Sequence, residues 1–217
     1  MVKGCAMYKL YYSPGSASLV VHWLLLELNE PFTLHHIDFA SNDQKSAEFI
    51  AINPSGQVPV LFDGERYLCE SAAIVLYLAE RHPQAGLAPQ PGSAERAQFL
   101  QWLMYLTNQL APTFRLWFYP PDLGMDAYPP ATKFALQHKI ERCWDRLELH
   151  LSQNGPWLTG EQPTAADFLL TMYMRWSRNM PSSALAWPRL KWIADQLRQR
   201  PSWQQLNQSE GLTEWLN

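Results

Sequence analysis

The sequence predicts two domains of different class. The first is an α/β domain, βαβ followed by ββα on a mixed four-stranded sheet, and the second is an all-α helical bundle. Three observations carry this. Short strand-like runs alternate with helical ones as far as about His82. The stretch Pro83-Gln84-Ala85-Gly86-Leu87-Ala88-Pro89-Gln90-Pro91-Gly92 then breaks both periods. After it, only helical spacing recurs. The expected division is therefore an α/β domain over 7–84, a linker over 85–93 and a helical domain over 94–217, and 217 residues suit two domains.

Tyr8 to Tyr12 reads as an aromatic-rich strand, ended by Ser13-Pro14-Gly15. Ser18 to Leu28 reads as a mostly buried helix, and Phe32 to Ile37 as a second strand. A strand–helix–strand unit favours a parallel pair with a right-handed crossover. Ser46 to Ile52 is a short helix. Val58 to Phe62 is a strand, Asp63-Gly64 a hairpin turn, and Arg66 to Cys69 the returning antiparallel strand. Ser71 opens a helix to about Arg81. Beyond the linker, Phe99, Leu103, Leu106 and Leu110 recur at helical spacing, as do Ile140, Trp144, Leu147 and Leu151, and then Leu190, Ile193 and Leu197.

Composition excludes several classes of function. The 17 basic and 20 acidic side chains are dispersed and give a net charge of -3, so no basic block exists to grip nucleic acid. The most apolar run, Leu19 to Leu28, carries His22 and Glu27 and is too short to span a bilayer. Met1 to Met7 lacks the apolar region of a signal peptide. The three cysteines, Cys5, Cys69 and Cys143, are odd in number and widely spaced, which suggests reduced thiols in a cytoplasm. No set of His, Cys, Asp and Glu has metal-ligand spacing, so no metal is expected.

Two motifs could carry chemistry. Pro59 lies in a strand-like run, where proline requires either an edge position or a cis bond. A cis bond would turn the Val58 backbone outward, free to pair with an extended peptide; an edge strand without a ligand is the alternative. In Glu70-Ser71-Ala72-Ala73-Ile74, Ser71 stands where an N-cap belongs. Its hydroxyl and the free N–H groups of the helix start could hold a carboxylate, with Glu70 to pair with an ammonium. An ordinary helix cap is the alternative.

Together these segments resemble the N-terminal, thioredoxin-like domain of glutathione transferases. The resemblance implies that Val58, shaped by Pro59, binds the cysteinyl part of glutathione through its backbone. It implies that Glu70 and Ser71 bind the γ-glutamyl part, with Gln57 adding a polar contact. Gln162-Pro163-Thr164-Ala165-Ala166-Asp167 resembles the family's capping box at the start of a core helix, with Thr164 and Asp167 as its members. The match runs from Tyr8 to about Asn207.

Tyr11 to Leu19 resembles the opening of bacterial beta-class transferases, with two departures. Ala17 stands where those carry a cysteine, and Ala111-Pro112 where they carry a His-Lys pair. A hydroxyl cluster remains: Tyr12, Ser13, Ser16 and Ser18. Serine-type classes use such a hydroxyl to stabilise the glutathione thiolate, and charge-assisted bonds of this kind favour the ionised thiol. Counting from Leu10-Tyr11, Ser16 matches best, with Ser13 and Ser18 as rivals; a turn or cap serine is the alternative for each. His22 reads as structural, and of His35 and His36 only one should face the core.

The resemblance places a pocket for the second substrate between the domains. Candidates are Tyr105, Gln109, Phe114, Trp117, Phe118, Tyr173 and Trp176, although aromatics at helical spacing also build cores. Trp117-Phe118-Tyr119 cannot all point inward from one helix. The implied activity is transfer of glutathione, as co-substrate, to small hydrophobic electrophiles through a hydrogen-bonded thiolate. A glutathione-dependent isomerase, reductase or peroxidase, or a non-catalytic ligand-binding protein, is the alternative. The family usually forms homodimers, with Asn108 and Gln109 as contacts near the partner's glutathione.

Overall fold

A computed structural model describes residues 7–216; Cys5 and Asn217, and the reading of the amino terminus apart from Met7, lie outside it. The chain forms two compact units. One comprises residues 7–86 and 200–216, the other residues 87–199. The units are thus not contiguous segments: the last helix groups with the sheet.

The first unit holds strands β1 (Tyr8–Tyr12), β2 (Phe32–His36), β3 (Val60–Phe62) and β4 (Tyr67–Cys69) in the order β2-β1-β3-β4. β1 pairs parallel with β2, and β3 pairs antiparallel with β1 and β4. β3 starts two residues later than expected, because Pro59 has no N–H to give to a ladder. At the hairpin turn the Asp63 carboxylate accepts from the N–H groups of Glu65 (2.9 Å) and Arg66 (2.8 Å) and from the Tyr77 hydroxyl (2.6 Å). Burial pushes this carboxyl up, but these donors outweigh it and hold it below its ordinary value.

Helix α1 (Leu19–Glu27) shows no amphipathic stripe, because Leu19 to Leu25 are all buried. It packs against α3 (Ser71–Arg81) and α9 (Pro201–Glu210). The α9 attachment is polar as well as apolar. Trp23 Nε1 donates to Ser202 Oγ (3.0 Å), Trp23 and Trp203 rings lie 4.6 Å apart, and Glu27 accepts from Arg200 and Ser202. A second cluster joins Tyr11, Ile37, Val58 and Val60 to Phe49 of α2 (Ala47–Ile52). His35 and His36 are both exposed, against the expectation of one inward ring; they lie beside Tyr11 and Tyr12 on an edge strand.

The second unit holds α4 (Ala94–Tyr105), α5 (Ala111–Phe118), α6 (Pro130–Asn154), α7 (Ala165–Trp176) and α8 (Pro188–Arg198). Leu106–Leu110 between α4 and α5 is a π turn, with the Ala111 N–H donating to the Leu106 carbonyl. Pro112 accounts for it. Proline offers no N–H to the Asn108 carbonyl, so a regular α ladder is already broken there. The Thr113 hydroxyl donates to the Gln109 carbonyl at 2.7 Å. The expected capping box opens α7: the Thr164 N–H (2.8 Å) and hydroxyl (2.9 Å) donate to the Asp167 carboxylate, as does the Leu158 N–H (2.9 Å). Among the described residues, no helix is long and apolar enough to cross a membrane.

Candidate functional site

The loop from β1 to α1 carries the serines, and they bond chiefly to one another. Ser16 Oγ donates to the Ser13 carbonyl at 2.7 Å and lies 2.9 Å from Ser18 Oγ. Ser18 Oγ also donates to the Ser13 carbonyl (3.1 Å) and accepts from the Ser13 N–H (3.2 Å). The Ser16 N–H reaches that carbonyl too, at 3.2 Å. Three donors thus converge on an oxygen with two lone pairs. Ser18 is wholly buried and Ser13 nearly so, while Ser16 is partly exposed. Of the two hydroxyls on the Ser13 carbonyl, that of Ser16 is therefore the one that can turn to a ligand without leaving the carbonyl unpaired.

Around Pro59, the Val58–Pro59 bond is cis, both residues are buried and Gln57 is exposed. Asn53, which the motif reading passed over, organises the approach. Its amide donates to the Gln57 carbonyl (2.7 Å), and its Oδ1 accepts from the Ser55 N–H and hydroxyl. Asn-Pro-Ser-Gly is a turn signal that could have revealed it. Gly56 has φ +61, and a Cβ there would lie 2.9 Å from the Gln44 carbonyl oxygen, so this position needs glycine twice over.

Ser71 is not the N-cap that was expected. It is the first residue of α3, and the cap position belongs to Glu70, whose carbonyl accepts from the Ile74 N–H. The Ser71 hydroxyl instead donates to the Ala17 carbonyl at 3.0 Å, across to the serine loop. Glu70 is exposed and has φ 68, a strained backbone for a residue with a side chain. Its kink gives Ser71 its place at the start of the helix.

A further residue shapes the loop. Glu210, in the last turn of α9, accepts from the Gly15 N–H and contacts Nδ1 of His22, both at 2.8 Å. His22 is structural, as expected, but only Nδ1 is satisfied; Nε2 has no hydrogen-bond partner among the described residues. A carboxylate in a helix's last turn opposes the macrodipole, which is a weak signal that it serves something else. The Tyr12 ring packs edge-on to His22, and burial, aided by the Glu210 charge, raises its phenol.

Within the second unit, the proposed acceptor residues divide. Phe114, Phe118, Tyr173 and Trp176 form one aromatic cluster. Phe114 lies nearly parallel to Tyr173 (7°) and to Phe118 (12°), and Trp176 stands at 85° to Phe114 and 88° to Phe118. Phe114 and Tyr173 are core residues; Phe118 is exposed and Trp176 partly so. Tyr105 lies elsewhere, under the Arg146 guanidinium, and burial together with its bond to Cys143 raises its phenol far above the ordinary value. Gln109 is exposed in the π turn, and Trp117 is buried under Lys133. Of the three adjacent aromatics, Trp117 is buried while Phe118 and Tyr119 are exposed.

Comparison with known proteins adds to this geometry. Residues 6–80 match the family model for the glutathione S-transferase N-terminal domain, and residues 114–210 a model for the C-terminal domain. Glutathione S-transferase GstA of Escherichia coli O157:H7 is 29% identical over 94% of this chain and 99% of its own. Glutathione S-transferase GST-4.5 of Xanthomonas campestris is 33% identical over 78% of this chain and 82% of its own. The disulfide-bond oxidoreductase YfcG of Escherichia coli is 29% identical over 90% of this chain and 92% of its own. A sphingomonad glutathione S-transferase solved with glutathione superposes with a TM-score of 0.82 at 30% identity, over 94% of this chain and 100% of its own.

Proposed function

Since this chain belongs to the glutathione S-transferase family of enzymes, we propose that it conjugates glutathione to small hydrophobic electrophiles through a thiolate held by hydrogen bonds. Ala17 has no thiol, so the sulfur of glutathione is held by donors alone. The observation that carries this reading is the surplus of donors on the Ser13 carbonyl. It leaves the Ser16 hydroxyl able to donate to a thiolate at no cost to the loop. A bond to the ionised form lowers the thiol pKa, and the thiolate is the nucleophile. Ser13 and Ser18 hold Ser16 in place.

Glutathione's γ-glutamyl group carries an ammonium and a carboxylate. Glu70 meets the first, and the N–H groups at the start of α3 meet the second. The Val58 backbone and Gln57 hold the rest of the peptide, with Pro59 setting the chain direction. The exposed corner of Phe118 and Trp176 takes the acceptor. The working form is a cytoplasmic homodimer. A glutathione-dependent reductase is the second reading, favoured by the similarity to a disulfide-bond oxidoreductase.

The test is an ultraviolet titration of bound glutathione thiolate in the wild type and in Ser16→Ala. Ser16→Ala should raise the apparent thiol pKa and lower turnover with an aryl halide, while glutathione affinity changes little. An unchanged titration would remove Ser16 from the mechanism. Disulfide reduction exceeding conjugation across an acceptor panel would favour the second reading.

A further inference from the structure

The serine loop and the start of α3 are joined by a chain of three links. Ser71 Oγ donates to the Ala17 carbonyl at 3.0 Å. That carbonyl and the Ser18 N–H belong to one peptide unit, which is planar and rigid. The Ser18 N–H, at the far end of the unit, donates to Ser16 Oγ at 3.3 Å. The first hydrogen bonds of α1 bypass this carbonyl: Leu19 N–H goes to the Ser16 carbonyl and His22 N–H to that of Ser18. Ser71 therefore fills a gap in the helix start, from 54 residues away.

We infer that Ser71 is a positioning residue for the thiol, setting the Ala17–Ser18 peptide so that its N–H polarises the Ser16 hydroxyl. This rests on the reading of Ser16 as thiolate donor. A hydroxyl whose oxygen accepts a hydrogen bond is a stronger donor through its own hydrogen, because chained bonds polarise one another. The loop is fixed on its other side by the Glu210 bond to Gly15. The Ala17–Ser18 peptide is thus the part of the loop whose orientation is set by Ser71. Its oxygen also keeps a second lone pair with which to accept from the γ-glutamyl ammonium, and such a bond, by further polarising the amide, would strengthen the one that the Ser18 N–H donates to Ser16 Oγ. Occupation of the γ-glutamyl end then tightens the environment of the sulfur at the other.

The experiment compares wild type, Ser71→Ala, Ser71→Thr, Ser16→Ala and the Ser16→Ala/Ser71→Ala double variant. Each is read by thiolate titration and by kcat and KM for glutathione. Ser71→Ala should raise the bound thiol's apparent pKa and lower kcat at saturating glutathione roughly fivefold, the worth of one neutral hydrogen bond. Ser71→Thr keeps the hydroxyl and should restore both. In the Ser16→Ala background, removing Ser71's hydroxyl should leave the titration where it is, since the two act in series. A rise in KM alone, with kcat and titration unchanged, would make Ser71 a simple binding group and overturn the inference. A shift in Ser16→Ala but none in Ser71→Ala would overturn the coupling and leave the thiolate reading standing. No shift in Ser16→Ala would overturn the thiolate reading itself, and the coupling with it. Ser71→Cys, near-isosteric but a weak donor, gives the same readouts if the alanine variant does not fold.

Discussion

Glu210 and His22 stand 188 residues apart in sequence, yet the Glu210 carboxylate lies 2.8 Å from Nδ1 of His22, with both side chains fully buried. The other carboxylate oxygen takes the Gly15 N–H. One side chain at the end of α9 thus pins α1 and the serine loop together. Glu210→Ala would leave the buried His22 Nδ1 without its carboxylate partner, at a cost of about 1–3 kcal/mol, and would remove the tether on Gly15. It should lower the denaturation midpoint and also lower turnover in the folded fraction. Glu210→Gln should be milder, because its carbonyl can still accept from Gly15 while its amide donates to a His22 tautomer that carries its proton on Nε2. An alanine variant as stable as the wild type would show that this pair does not hold the loop.

Asp167 gives a pH signature. Full burial drives its carboxyl from the ordinary 3.8 up to about 6, against the pull of the donors from Leu158 and Thr164. The folded value is raised, so this group's contribution to stability is complete below 3.8 and is lost as pH rises through about 6. Between about pH 5 and about pH 7.5 it should remove roughly 1.5 kcal/mol. Urea denaturation at the two pH values measures this. Asp167→Asn should be less stable at both, because an amide cannot accept from three donors, and it should lose this part of the pH slope. Equal slopes in the two proteins would refute the assignment.

Much of this was legible because it is local. The aromatic strand Tyr8–Tyr12, the Asp63-Gly64 turn and the Thr164/Asp167 box each rest on residues within a few positions of one another. Ser71 to Ala17 and Glu210 to Gly15 join segments 54 and 195 residues apart, and nothing in either segment names its partner. The aromatic candidates divide for a different reason. The resemblance names candidates on both sides of the π turn at Leu106–Leu110, Tyr105 before it and Phe114 and Phe118 after it. One extra residue in a turn rotates everything beyond it by about 100° around the axis. Tyr105 therefore meets Cys143 and Arg146, whereas Phe114 and Phe118 meet Trp176.

Glu70 should show a trade between stability and binding. At φ 68 its backbone is strained, which typically costs about 1–3 kcal/mol. Glu70→Gly relieves this, less the extra chain entropy of glycine, about 0.5–1 kcal/mol. The variant should be slightly more stable in thermal unfolding and should bind glutathione roughly tenfold or more weakly, having lost a charged partner. Tight binding retained in Glu70→Gly would mean that the carboxylate does not meet the γ-glutamyl ammonium.

Phe114 and Phe118 are nearly parallel, at 12° and 6.0 Å, but differ in exposure: Phe114 is 0% exposed and Phe118 47%. The first should therefore act on the fold and the second on the acceptor. Phe114→Ala removes a ring packed against Trp144, Tyr173 and Trp176, and should cost about 3–5 kcal/mol of stability. Phe118→Ala should change stability by about 0.5 kcal/mol or less, as surface changes do. It removes the open face on which a flat acceptor can stack, next to the perpendicular Trp176 ring. An aromatic pair contributes about 0.5–1.5 kcal/mol beyond burial, so KM for an aryl acceptor should rise by about two- to tenfold. Phe118→Leu keeps apolar surface without the π face, and should fall between the two for aryl acceptors while matching the wild type for alkyl ones. Unfolding curves and acceptor kinetics on the three variants separate the roles. If Phe118→Ala leaves KM unchanged for aryl and alkyl acceptors alike, the acceptor binds away from this corner.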